Sequence, residues 1–143
     1  MKIKIKRLDK SLPLPEYKTQ GAAAFDLAAR EKVEIPAGKV GYVSLNVAIV
    51  TPLGHFFLLA SRSSLHKKGL MMANGIGIID PDYSGDEDEV KAACFNFSSS
   101  PVIVEKGERI AQGIFVNIDR AEWEEVETMP NKTRGGFGST GNK

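Results

Sequence analysis

The sequence predicts an all-β fold, a jelly-roll-like β-sandwich or barrel that ends in a flexible glycine-rich tail. Apolar residues alternate with period two in several short runs, and no stretch sustains the 3.6-residue period of an amphipathic helix. Turn residues punctuate those runs at short intervals: Pro13 and Pro15, Pro36-Ala37-Gly38, Pro52-Leu53-Gly54 and Lys106-Gly107. Many short strands closed by such turns suit a sandwich, jelly roll or barrel.

The elements follow in chain order. Residues 2–6 alternate Lys with Ile. Residues 41–50 form the longest alternation, with Val43, Leu45, Val47 and Ile49 on one face. Further strands are expected over 55–60, 75–79, 89–97, 101–104 and 109–118. Residues 62–68 lack proline and β-branched side chains, which predicts a helical turn or two. Trp123 is expected to pack against the body of the domain. After Pro130 the chain carries four glycines and one aromatic, so it has little to bury. Residues 1–130 are therefore expected to form one domain and 131–143 a mobile tail.

Composition narrows the function. Nineteen basic and eighteen acidic side chains give a net charge of +1 over 143 residues. That lacks the basic surplus of a protein that lives on a nucleic-acid backbone, while a small phosphate ligand held by local cations stays open. Cys94 is the single cysteine, so no intrachain disulfide forms, and its apolar setting in Ala92-Ala93-Cys94-Phe95 predicts a buried, reduced thiol. No window reaches the roughly 18 apolar residues of a membrane span, and the N-terminus lacks the apolar stretch of a signal peptide. A cytoplasmic enzyme or binding protein fits.

Chemistry has three candidate locations. Ile78-Ile79-Asp80-Pro81-Asp82-Tyr83-Ser84-Gly85 runs from a strand into two carboxylates, a proline and a glycine. Asp80 and Asp82 could simply favour a turn. A carboxylate held on a hairpin beside an aromatic could equally orient and deprotonate a water next to a ring-shaped ligand. Arg62-Ser63-Ser64-Leu65 offers a guanidinium and two hydroxyls for phosphate oxygens, although serines also cap helices. The tail could cradle phosphates through glycine backbone, with Arg134 adding charge and Phe137 a stacking face, but it lacks the Lys-Ser or Lys-Thr ending of a P-loop. His55 and His66 have no partners at metal-ligand spacing. The run Asp86-Glu87-Asp88-Glu89 reads as a solvated hairpin tip.

Taken in order, these segments resemble the five motifs of the trimeric dUTP pyrophosphatase family. The first is Gly21-Ala22-Ala23-Ala24-Phe25-Asp26-Leu27 and the second Arg62-Ser63-Ser64-Leu65. The third spans Gly77 to Gly85, the fourth is Gly107-Glu108-Arg109-Ile110-Ala111-Gln112, and the fifth Gly135-Gly136-Phe137-Gly138-Ser139-Thr140-Gly141. The resemblance implies a jelly-roll homotrimer with three sites at subunit contacts, each closed by the tail, that hydrolyses dUTP to dUMP and pyrophosphate. It implies Asp80 as the base, Tyr83 against the deoxyribose, and Asn74 with the backbone of Gly77, Ile78 and Ile79 around the uracil. Arg62, Ser63, Ser64 and Gln112 would meet the phosphates. Phe137 would stack on the base, and Arg134, Gly138, Ser139 and Thr140 would complete the cage. Asp26 would act behind the ligand-contacting residues. Mg²⁺ would ride on the substrate phosphates and water, with no dedicated protein ligands.

The sequence departs from the family pattern at three places. Four residues, Asp86 to Glu89, precede Val90 where about one is usual; Arg134 stands three residues before Phe137 where five is common; and Ala23-Ala24-Phe25 precedes Asp26. Two alternatives share the scaffold. A dCTP deaminase would need a glutamate where this chain has Ala93, and a non-catalytic nucleotide-binding trimer would not need Asp80, Tyr83, Gln112 and Phe137 together.

Overall fold

The computed structural model describes residues 1–136. Its strands are β1 (Ile5–Arg7), β2 (Phe25–Ala28), β3 (Val33–Ile35), β4 (Val40–Ser44), β5 (Val47–Ile49), β6 (His55–Ser61), β7 (Leu70–Met72), β8 (Gly77–Ile79), β9 (Lys91–Asn96), β10 (Val102–Val104) and β11 (Arg109–Asn117). One sheet has the order β2-β11-β6-β8 and another β4-β9-β7, with the short pairs β1-β5 and β10-β3 beside them. Each of these pairings is antiparallel. The result is the all-β, jelly-roll-like fold that the alternation predicts.

Alternation also decides the core. Leu27, Phe57, Leu59 and Ala111 from the larger sheet meet Val43, Leu70, Ala92 and Cys94 from the smaller one in a single buried cluster. Burial pushes the Cys94 thiol up to about 11, so it is a packing residue rather than a nucleophile at neutral pH. Phe57 stacks on Phe25 at 5.7 Å between ring centroids and packs against Phe115 at 5.3 Å. Gly113 makes room for that cluster. A Cβ there would run into the Phe57 ring and come within 3.1 Å of Phe25 Cζ, so the middle of β11 has no space for a side chain.

The structure corrects several expectations. Residues 41–50 are not one strand: β4 and β5 flank a break at Leu45 and Asn46, where Asn46 takes φ 66°. Strands β2, β3 and β7 lie outside the runs expected from alternation. The strands expected from 75 and 89 begin at Gly77 and Lys91. The helical expectation over 62–68 becomes a 3-10 turn, Leu65–Lys68, ended by Gly69 at φ 81°. Trp123 does not pack on the domain. It is 93% exposed, because residues 118–136 run without strand or helix and bring no apolar surface against the indole. Among the described residues no helix is long and apolar enough to cross a membrane.

Candidate active site

Strand β6 places the first cluster at its C-terminal end. Arg62 follows β6, and its N–H continues the ladder to the Ile110 carbonyl. The Arg62 guanidinium is then aimed from two sides: Nε donates to Asp26 Oδ1 at 3.0 Å and Nη1 to the Arg109 carbonyl at 3.1 Å. Among the described residues Nη2 is left without a partner. Asp26, on β2, spends its second oxygen on Arg109 Nη1 at 2.8 Å. One carboxylate therefore orders two guanidiniums, and the charge-assisted bonds fix where a planar donor fork points.

The neighbouring hydroxyls remain available. Ser63 and Ser64 are exposed, and Ser64 sits at the N-cap of the 3-10 turn without making a side-chain capping bond. Capping, the bland use of these serines, does not occupy the Ser64 hydroxyl. A groove runs here past Arg62, Ser64, Lys67, Lys68 and Glu108. Lys68 donates to Glu108 at 2.6 Å. Desolvation pushes the Glu108 carboxyl up, but the bonds from Lys68 and the Glu105 backbone outweigh it and hold the group below its usual range. Gln112 pairs with Ala60 and Asp26 in the sheet, and its Nε2 donates to the Ser61 carbonyl at 2.9 Å. Asp26, Arg62, Ser64 and Gln112 thus gather at one end of the sheet.

The second cluster lies at the other end. Gly77, Ile78 and Ile79 form β8, which pairs antiparallel with β6 through Leu59, Leu58 and Phe57. β8 is an edge strand, so the side of its backbone turned from β6 keeps N–H and C=O groups free of ladder bonds. Asn74 precedes this strand in an exposed turn on the Arg62 side of the register, and Asp80 follows it at the far end, also exposed. The Tyr83 N–H donates to the Asp80 carbonyl at 3.2 Å, closing the turn expected from Asp-Pro-Asp. The Tyr83 hydroxyl donates to the Glu89 carbonyl at 3.0 Å.

The distance between the clusters follows from register. Ile79 lies opposite Phe57, so one further step sets Asp80 beside Phe56. Arg62 is six residues on, about 20 Å at roughly 3.3 Å per strand residue. Asp80 and Arg62 therefore stand at opposite ends of β6 within one chain.

Comparison with known proteins follows the same lines. The dUTPase family model matches residues 10–141. The chain belongs to the dUTPase family. It is 40% identical to the deoxyuridine 5′-triphosphate nucleotidohydrolase of Dictyoglomus turgidum, with 99% of each chain covered. It is also 40% identical to that of Corynebacterium glutamicum, over 97% of this chain and 94% of the relative. Among solved structures it is similar to the Streptococcus mutans dUTPase, with TM-score 0.76 and 31% identity over 83% of this chain and 98% of that one. A mutant Staphylococcus bacteriophage 80alpha dUTPase with dUpNHpp superposes at TM-score 0.85 and 25% identity, with 98% of each chain covered.

Within this dUTPase fold, the remaining motif residues divide sharply. Arg134 is described and exposed, without regular structure around it. Phe137, Gly138, Ser139 and Thr140 lie outside the described residues. Among the described residues no group of three or more His, Cys, Asp or Glu side chains is placed to hold a metal ion.

The acidic run is corrected at one position. Glu89 is not part of a solvated tip: it is 4% exposed, and its Oε1 accepts Arg30 Nε at 2.8 Å and the Asn46 N–H at 2.9 Å. Bonding to Glu89 in turn raises the Arg30 pKa above its ordinary value. Asp86 does stand at the surface, where Lys6 bonds its Oδ1 at 2.9 Å. Arg30, Arg109 and Glu89 are the residues that sequence reasoning missed. Arg109 lies inside the fourth motif without a role assigned from sequence, Glu89 reads from sequence as part of a solvated tip, and Arg30 carries no local signal.

Proposed function

We propose that this dUTPase-family chain hydrolyses dUTP to dUMP and pyrophosphate at sites shared between subunits of a homotrimer. The observation that carries the shared site is the separation along β6. A water activated by Asp80 must reach the phosphorus of a nucleotide whose phosphates Arg62 holds, and about 20 Å of strand parts the two in one chain. A neighbouring copy that brings its β8 hairpin to the Arg62 end removes the gap.

In the assembled site the free edge of β8 and the Asn74 amide read the uracil. Backbone N–H and C=O groups can match the alternating acceptors and donor of the imide edge. Cytosine reverses part of that pattern and leaves buried groups unpaired, at about 1–3 kcal/mol per group. Tyr83 packs on the deoxyribose and excludes a 2′-hydroxyl. Arg62, Ser63, Ser64 and Gln112 bind phosphate oxygens, with Asp26 holding Arg62 in place.

Asp80 takes a proton from water as its oxygen attacks the α-phosphorus. The bond from that phosphorus to the bridging oxygen breaks, and pyrophosphate departs with the electron pair. The guanidinium and hydroxyls offset the charge gathering on the phosphates. The exposed Asp80 and Asp82 are hard oxygen donors but too few for a cage, which suits a cation carried by the triphosphate and water. Mg²⁺ bound in that way supplies further charge neutralisation. The tail, residues 131–143, closes over the nucleotide, with Phe137 on the base and Arg134, Gly138, Ser139 and Thr140 at the phosphates. Such an enzyme would work in the cytoplasm, keeping dUTP out of the nucleotide pool and supplying dUMP for dTMP synthesis.

Deamination is disfavoured at Ala93. This residue sits on β9 opposite Tyr42, and its methyl group has no proton to shuttle. The direct test is pyrophosphate release from dUTP with Mg²⁺, with dTTP, dCTP and UTP as comparators. dUTP alone should be consumed at an appreciable rate. Ammonia release from dCTP, or an inert dUTP, would overturn the proposal.

A further inference from the structure

We infer that Glu89 is a positioning residue for sugar selectivity: locked by Arg30 and Asn46, it presents the backbone carbonyl that fixes the Tyr83 ring. The inference rests on the proposed reading that Tyr83 packs on the deoxyribose.

Tyr83 cannot owe its position to core packing, since it is 41% exposed. Two hydrogen bonds restrain it. Its N–H is held by the Asp80 carbonyl at 3.2 Å, and its hydroxyl by the Glu89 carbonyl at 3.0 Å. The first ties the residue to the hairpin, and the second sets the direction of the ring. A carbonyl directs a side chain only as well as it is itself directed.

Glu89 is directed from several sides. Its buried carboxylate accepts Arg30 Nε and the Asn46 N–H. The next residue is tied on both faces: the Val90 N–H donates to Val47 at 2.9 Å, and its carbonyl accepts the Leu45 N–H at 2.9 Å. Asn46 is pinned in turn, with Oδ1 accepting the Asp9 N–H at 2.6 Å and Nδ2 donating to the Asp9 carbonyl at 3.0 Å. The break between β4 and β5 therefore has a use. It frees an N–H at Asn46 that a straight strand would have spent on the ladder, and Glu89 takes it.

This arrangement also accommodates the long hairpin tip. The Gly85 N–H bonds Asp88 Oδ2 at 2.6 Å and the Asp88 N–H the Gly85 carbonyl at 3.2 Å, so residues 85–88 close on themselves. The extra residues bulge outward while Tyr83 and Glu89 stay joined across their base.

The test compares kcat/KM for dUTP and UTP in the full-length enzyme. Glu89→Ala and Tyr83→Phe should each reduce the dUTP preference by about tenfold, the scale set by small misplacements at a fitted site. The double variant should lose little more than either single one, because both changes cut the same link. Glu89→Gln, which can still accept the Asn46 N–H, should retain most of the preference. General loosening would slow both substrates alike and leave the ratio unmoved. Should Glu89→Ala fail to fold, Tyr83→Phe and Glu89→Gln decide the matter. An unchanged ratio in a folded Tyr83→Phe or Glu89→Ala enzyme that still hydrolyses dUTP overturns the inference alone. A wild-type chain that leaves dUTP intact overturns the reading beneath it.

Discussion

The two ends of β6 are built on different principles. At the Arg62 end, side chains hold side chains: Asp26 grips Arg62 and Arg109, and Lys68 grips Glu108. At the Asp80 end, the hairpin backbone does the holding, through the Asp80, Gly85 and Glu89 carbonyls. A phosphate site needs fixed positive charge, and guanidiniums on flexible stems stay aimed only when a carboxylate anchors them. A base-reading and water-activating site needs an accessible carboxylate and free peptide groups, which an edge strand and a tight turn provide. The two solutions cannot occupy one spot, and in the proposed shared site a neighbouring subunit would reunite them.

The largest effect should come from the Asp80 end. Asp80→Asn keeps the shape but not the base, so turnover should fall by roughly 100- to 10,000-fold while binding of a non-hydrolysable dUTP analogue survives. Near-normal turnover would remove Asp80 from the mechanism. Deletion after Pro130 comes next. A folded oligomer with little hydrolysis is expected, by size-exclusion chromatography and pyrophosphate assay, on the proposal that the tail serves the closed site and not the core. Full activity would make the tail dispensable.

Asp26→Asn should act more gently and at the opposite end. Loss of charge loosens the Arg62 and Arg109 guanidiniums without removing them, so kcat/KM should drop by about 10- to 100-fold, on the scale of a misaligned binding group. Unaltered kinetics would show that Arg62 needs no anchor.

The sequence made the two ends unequally legible. β6 shows in the alternation because its buried residues, Phe57 and Leu59, repeat every second position, whereas the alternating Ile76 and Ile78 that mark β8 are exposed. β7 did not show, since Leu70-Met71-Met72 contains no β-branched residue, and β3 has only Val33-Glu34-Ile35 before a proline. The break at Asn46 was hidden because Val43, Leu45, Val47 and Ile49 keep their phase across it. Only the residue type, asparagine, tolerates the left-handed turn and hints at it. Glu89 was misread for a different reason. Its neighbours Asp86 to Asp88 are acidic, and its burial depends on Arg30, 59 residues away, and Asn46, 43 residues away. Local composition carries no record of such partners. Asp26 and Arg62 were legible as motif residues, but their 3.0 Å contact comes from β2 and β6 both pairing with β11.

The central claim is that Asp80 of one chain works with Arg62 of another. It is tested most directly by mixing two inactive variants, Asp80→Asn and Arg62→Ala, under conditions that dissociate and reassemble the oligomer. Each mixed site needs an intact Asp80 from one chain and an intact Arg62 from its neighbour. Random assembly in equal amounts should restore activity to about a quarter of the wild-type level, half times half of the contacts being productive in a ring of head-to-tail interfaces. Verified exchange of subunits without any gain over the separate variants would contradict the claim and return both residues to a single chain's site.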